Sequence, residues 1–241
     1  MALDGTFPMA WETFSCSFTA GNGTAARILV DTSPARVLPA IAGEVALPGE
    51  TTVAQRVLTG GCRLIDGTIA STDGTARSLL IYFGREMTAQ ADTPLAVAAA
   101  SLTRTIGSFL ADGWQSGDAV MIFGAAGAAN NGKLAQVTAV TATVLTLNGT
   151  PFTTEAALPA GARLVKVALR TRKGIPANAG YADATPNVAL PGGGQDASMT
   201  GMPADSIGWQ LGARTLLIVA PAVAVSTLPA QIDVTAHVGL Y

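Results

Sequence analysis

Glycine (27) and proline (13) recur throughout the 241 residues, and they fall between short runs rich in Val, Ile, Leu and Thr. A chain punctuated this often has little room for helices, and its spacing is that of many short strands joined by turns. The candidate strands are residues 27–30, 52–58, 63–71, 77–83, 120–123, 134–140, 144–147, 163–170, 214–219 and 231–238. Within 77–83, Arg77, Leu79, Ile81 and Phe83 share one side and Ser78, Leu80 and Tyr82 the other. Apolar residues on both sides predict a strand covered on two faces. Residues 231–238 alternate instead: Ile232, Val234, Ala236 and Val238 share one face, and Asp233, Thr235 and His237 the other. No stretch carries a sustained helical period with caps, although 94–101 (PLAVAAAS) suits a short helix or an Ala-rich linker.

Composition narrows the function classes. Charged residues are 12% of the chain and the formal net charge is −2, so the clustered cations of a nucleic-acid binder are lacking. Hydrophobic residues reach 49%, which argues against intrinsic disorder. The longest apolar run, residues 216–225, is interrupted by Pro221 and is too short for a membrane-spanning helix. The first eleven residues hold Asp4 and no basic residue, a poor signal peptide. Cys16 and Cys62 are the only cysteines, and two reduced, buried thiols are the expectation.

The chemistry-bearing residues are sparse. Gly127 to Lys133 fits the Gly-x4-Gly-Lys spacing of a phosphate loop. Leu134 stands where the magnesium-binding hydroxyl belongs, and both flanks read as strands, so a hairpin turn at Asn130-Asn131-Gly132 is expected and no nucleotide. The single histidine, His237, reads as a solvent-facing strand residue, and no Gly-x-Ser-x-Gly elbow occurs. Two Cys and one His are too few for a zinc centre. Asp66, Asp73, Asp112 and Asp118 each adjoin a glycine and read as turn residues. Trp11, Trp114 and Trp209 suit sugar stacking, a β core or a subunit contact equally. Asn22-Gly23-Thr24 and Asn148-Gly149-Thr150 match the glycosylation sequon and read more simply as turns. No catalytic, cofactor-binding or metal-ligating residue is assigned.

One stretch carries a family likeness. It comprises Thr103-Arg104-Thr105-Ile106-Gly107-Ser108-Phe109, Asp112-Gly113-Trp114, Gly117-Asp118, Ala129-Asn130-Asn131-Gly132 and the run 137–147 (VTAVTATVLTL). Residues 102–150 thereby resemble a module common in bacteriophage virion proteins, especially those of tails. The flanks, 71–77 (STDGTAR) with 78–82, and 215–219 with 233–236 (DVTA), are similar to phage structural proteins built on a β-sandwich.

The resemblance implies an all-β, jelly-roll-like β-sandwich made of residues 1–98 and 166–241, with a small β-barrel or sandwich, 99–165, inserted. Residues 171–208, crowded with Gly and Pro, read as a long loop that makes contacts with a partner. The resemblance also implies a non-enzymatic particle component, assembled in the bacterial host cytoplasm. Its expected partners are the major capsid protein or tail proteins and further copies of itself, with neither nucleic acid nor membrane. Capsid decoration or cementing is the first expectation and a tail tube, adaptor or fibre-base protein the second. A carbohydrate-binding receptor-recognition protein is the third. With lysine only at 133, 166 and 173, edge strands are not guarded by charge, which suits coverage by neighbours.

Overall fold

The structure is a computed structural model that describes residues 10–19, 24–32, 62–90, 92–180, 188–189, 210–211, 215–225 and 230–240. All regular structure in these residues is β, and no helix is long and apolar enough to cross a membrane. The strands are β1 (Ala10–Thr19), β2 (Arg27–Asp31), β3 (Cys62–Ser71), β4 (Arg77–Ala89), β5 (Leu95–Ala98), β6 (Ser101–Arg104) and β7 (Ala119–Phe123). They continue with β8 (Leu134–Val140), β9 (Val144–Leu147), β10 (Arg163–Ile175), β11 (Val188–Ala189), β12 (Gln210–Leu211), β13 (Thr215–Pro221) and β14 (Gln231–Leu240). They form two antiparallel sheets, the β-sandwich class expected from the sequence. One sheet is ordered β1-β14-β3-β11, with β12 also on β3, and the other β2-β13-β4-β10-β7-β8-β9-β6-β5. The chain divides into two compact units. The first holds Met1–Pro34, Val57–Ile81 and Arg170–Tyr241, and the second Ala35–Arg56 and Tyr82–Leu169. Strands β4 and β10 contribute residues to both.

In the first unit, β14 is the spine. It pairs with β1 over ten residues, Ala10↔Leu240 to Thr19↔Gln231, and with β3 on its other side. Ile232, Val234, Ala236 and Val238 are fully buried, whereas Asp233, Thr235 and His237 are half-buried. The alternation read from the sequence thus sets the face. β1 and β14 pack against β2 across the sandwich. β13 shows no alternation because Leu216 to Val219 are fully buried on both faces, and each such side chain stabilises by about 1.5–3 kcal/mol.

Three local expectations need correction here. Asp66-Gly67 is not a turn: it lies inside β3, where the register shifts opposite His237/Val238 and an extra residue is taken up as a bulge. Residues 171–175 are not loop, because β10 continues to Ile175. The turn that follows folds back on the Asp73 corner, with Asn178 N–H donating to Asp73 O and Ser71 N–H to Ala179 O. Further on, Val188 pairs with Ile69 and Leu211 with Cys62, so β3 receives the chain on both sides of the Gly/Pro-rich stretch. Residues 181–187 and 190–208 of the expected loop, and the expected strand 52–58, lie outside the described residues.

The second unit wraps six strands, in the order β10-β7-β8-β9-β6-β5, around one core. Trp114, Phe109, Leu102, Val120, Ile122, Leu145 and Leu164 fill it. The third correction falls here. Residues 94–101 are neither helix nor linker, because Leu95 and Val97 alternate inward as β5, which hairpins into β6 through Ala99-Ala100. Alanine prefers helix in isolation, but burial of Leu95 and Val97 outweighs a propensity worth tenths of a kcal/mol per residue. The outer border of β5 is also occupied. Val97 N–H donates to Glu155 O, Glu155 N–H to Val97 O and Leu158 N–H to Leu95 O. The same segment then runs into β10. Gly124 closes the other end: with φ +81° its backbone lies against Gly161, and a Cβ there would come within 2.9 Å of Gly161 O.

Candidate functional site

The residues that the sequence singled out do not gather in one place. Among the described residues, no three of His, Cys, Asp and Glu are arranged to hold a metal ion. His237 stands in register with Asp66 across the β3–β14 pair, on the face that carries Asp233 and Thr235. Asp233 accepts from Ser17 Oγ, and its other oxygen accepts from Gln231 Nε2 at 2.7 Å. Cys16 and Cys62 are both reduced, in no disulfide. Cys16 is half-buried and Cys62 buried, so only the second matches the expectation of burial. They flank β14 on opposite sides, opposite Val234 and Leu240. Six positions along a strand span about 20 Å, far beyond the reach of a disulfide. Burial pushes the Cys62 thiol up to about 11. The Trp209 residue and the Trp11 side chain lie outside the described set.

The phosphate-loop spacing resolves into an internally satisfied corner. A strand, β8, follows Lys133 where a phosphate loop requires a helix. The backbone N–H groups that would cradle an anion already have one. Ala126 N–H donates to Glu155 Oε2 and Gly127 N–H to Oε1, both at 3.1 Å, and Asn130 Nδ2 also donates to Oε1. Gly132 N–H donates to Ile122 O at 2.8 Å. Asn130 and Asn131 are buried, and each uses both ends of its amide. Asn130 bridges to Thr153 N and O, and Asn131 to Ala125 N and O. The turn is legible locally, whereas Asn130's partners, Thr153 and Glu155, lie more than twenty positions away.

Trp114 is core, not a sugar platform: it is 1% exposed. Its indole N–H donates to Thr88 Oγ1 at 3.1 Å, and Thr88 Oγ1 donates in turn to Asp112 Oδ2. Arg104 Nη1 pairs with that same oxygen, its Nε donates to Ile106 O at 2.7 Å, and its guanidinium lies 5.0 Å from the Phe109 ring centroid. Thr93 Oγ1 also donates to Ile106 O. This network fixes the segment 105–113. Gly107 presses on the guanidinium so closely that a Cβ would collide with it. The fixed segment presents Ile106 (63% exposed) and Leu110 (57%) to solvent. Among the described residues, Leu134 and Leu169 are the other large exposed apolar side chains of this unit.

A second charge pair is wholly internal. Arg163 Nη1 meets Glu86 Oε2 at 3.2 Å with both side chains at most 3% exposed. An ion pair so desolvated is expensive to break.

No protein-family model matches the chain, and neither a curated protein nor a solved structure is similar to it.

Proposed function

We propose that the chain is a non-enzymatic structural protein of a bacteriophage particle, one that decorates or cements the capsid shell in many symmetric copies. The observation that carries this reading is the turn-and-strand ensemble of residues 102–150, whose resemblance to virion modules covers about a fifth of the chain. The physical chemistry of the second unit supports it. Asn130, Asn131, Glu155, Thr88, Arg104 and Asp112 are engaged in internal staples, and its fixed segment 105–113 offers Ile106 and Leu110 and no unbridged charge. Such a surface suits close packing against a neighbour more than binding of a polar small molecule.

A tail component is the second reading, favoured by one specific observation: the 102–150 module resembles those of tail proteins above all. Copy number separates the two. Gel densitometry of purified particles against the major capsid protein gives hundreds of copies for shell decoration and far fewer for a tail part. Absence of the chain from particles would end both readings. Light scattering adds the oligomeric state, with a ring expected for a tail tube.

A further inference from the structure

We propose that Asn148 is a site of spontaneous deamidation in the folded protein, and that the fold protects Asn131, which has the same glycine neighbour. The chemistry needs three things: an asparagine amide free to turn, a following backbone nitrogen free to attack it, and water. The nitrogen of the next residue bonds to the Asn Cγ, the Cγ–Nδ2 bond breaks, and ammonia leaves. Water then opens the resulting succinimide to aspartate or isoaspartate. A glycine in the next position removes the side chain that would hinder attack.

Three Asn-Gly pairs occur in the sequence; Asn22-Gly23 lies outside the described residues, and the other two, Asn131-Gly132 and Asn148-Gly149, differ in these respects. Asn131 is 5% exposed, and its amide is held at both ends by Ala125, at 2.9 Å from Ala125 N and 2.7 Å from Ala125 O. The attacking nitrogen, Gly132 N, is itself engaged with Ile122 O at 2.8 Å. Reaction there requires several buried hydrogen bonds to open together. Asn148 follows β9 in an exposed turn, anchored only through its backbone N–H to Gln136 O at 2.9 Å. Among the described residues its side-chain amide has no hydrogen-bond partner and neither does Gly149 N. Gly149 sits at φ +67° with nothing within 4 Å of the place where a Cβ would be. The product adds a negative charge to the turn between β9 and Phe152.

The test is prolonged incubation of the full chain at mildly alkaline pH, followed by peptide mass spectrometry, with a urea-unfolded sample alongside. In the folded protein, conversion at Asn148 is expected and conversion at Asn131 is slower by roughly tenfold or more, given several net hydrogen bonds to open. In urea the two sites react at similar rates. Asn148→Gln removes the aspartate and isoaspartate forms of the peptide that carries residue 148, and that peptide's share of the acidic species in ion-exchange profiles of the aged protein, with the Asn22-Gly23 peptide scored separately. Equal rates at both sites in the folded chain, or an intact Asn148 amide beside a converted Asn131, would overturn the proposal.

Discussion

Asn130 and Glu155, 25 positions apart, are joined by a hydrogen bond from the amide Nδ2 to the carboxylate Oε1, in a corner that also collects the N–H groups of Ala126 and Gly127. One carboxylate therefore ties the loop after β7 to the segment bordering β5. Glu155→Gln keeps the shape and removes the charge, replacing one acceptor oxygen by a donor. It is expected to lower stability by about 1–3 kcal/mol, as for a lost charge-assisted bond with buried partners. Urea denaturation checks this. Calorimetry with ATP is expected to show no heat of binding for either protein, because the native loop is filled and the variant still lacks the following helix.

The Trp114–Thr88–Asp112 relay gives a second expectation. Thr88→Val takes away the acceptor of the indole N–H and a donor to Asp112 while conserving volume. The loss is about 1–3 kcal/mol, for buried groups left without partners. Trp114→Ala is worse, about 3–5 kcal/mol, because it also leaves a cavity. Thermal unfolding followed by near-ultraviolet circular dichroism reads both, and a Thr88→Val protein as stable as the parent would refute the relay.

For the buried Arg163–Glu86 pair, removal of one partner is the damaging change. Arg163→Met or Glu86→Leu alone should cost about 3–5 kcal/mol, since each takes an opposite charge away from a desolvated one. The double variant should recover most of that loss, because an apolar pair of similar volume can replace a buried ion pair. A double-mutant cycle by chemical denaturation measures it. A double variant no better than the worse single one would show that packing, not charge, is at issue.

The two thiols should differ in reactivity. At neutral pH a soluble thiol reagent is expected to modify half-buried Cys16 in the folded chain and to reach Cys62 only on unfolding. The pH dependence follows from burial. Burial pushes the Cys62 thiol up from its ordinary 9.0 to about 11 in the folded chain, so folding favours the protonated form. Its contribution is constant below 9.0 and becomes increasingly unfavourable to folding as pH rises toward 11. A Cys62→Ala protein should lose less stability than the parent across that window, as measured by denaturation at each pH.

Strand content was legible because punctuation and alternation are local. Ile232, Val234, Ala236 and Val238 declare the buried face of β14 within seven residues, and Asp73-Gly74 declares its turn, with Thr75 N–H donating to Asp73 Oδ1 at 3.0 Å. What escaped depends on partners distant in sequence. Ala-rich β5 is a strand because β6 and the Glu155 segment pair with it, and nothing within residues 94–101 states that. β1, too, reads as mixed polar sequence until β14 pairs with it. Trp114 left open whether it served a surface or a core, since a lone aromatic gives no direction until Thr88 is seen beneath its indole nitrogen.

The hydrogen bonding of β5 to Glu155 and Leu158 has a consequence for how copies can associate. A strand whose outer row of amides and carbonyls is already engaged offers no template for a foreign strand. Along that margin the second unit can be stacked or abutted but not zipped into a continuous ribbon with its neighbour. Contacts made there must be formed by side chains, and they can be reversed by single substitutions rather than by unravelling the fold.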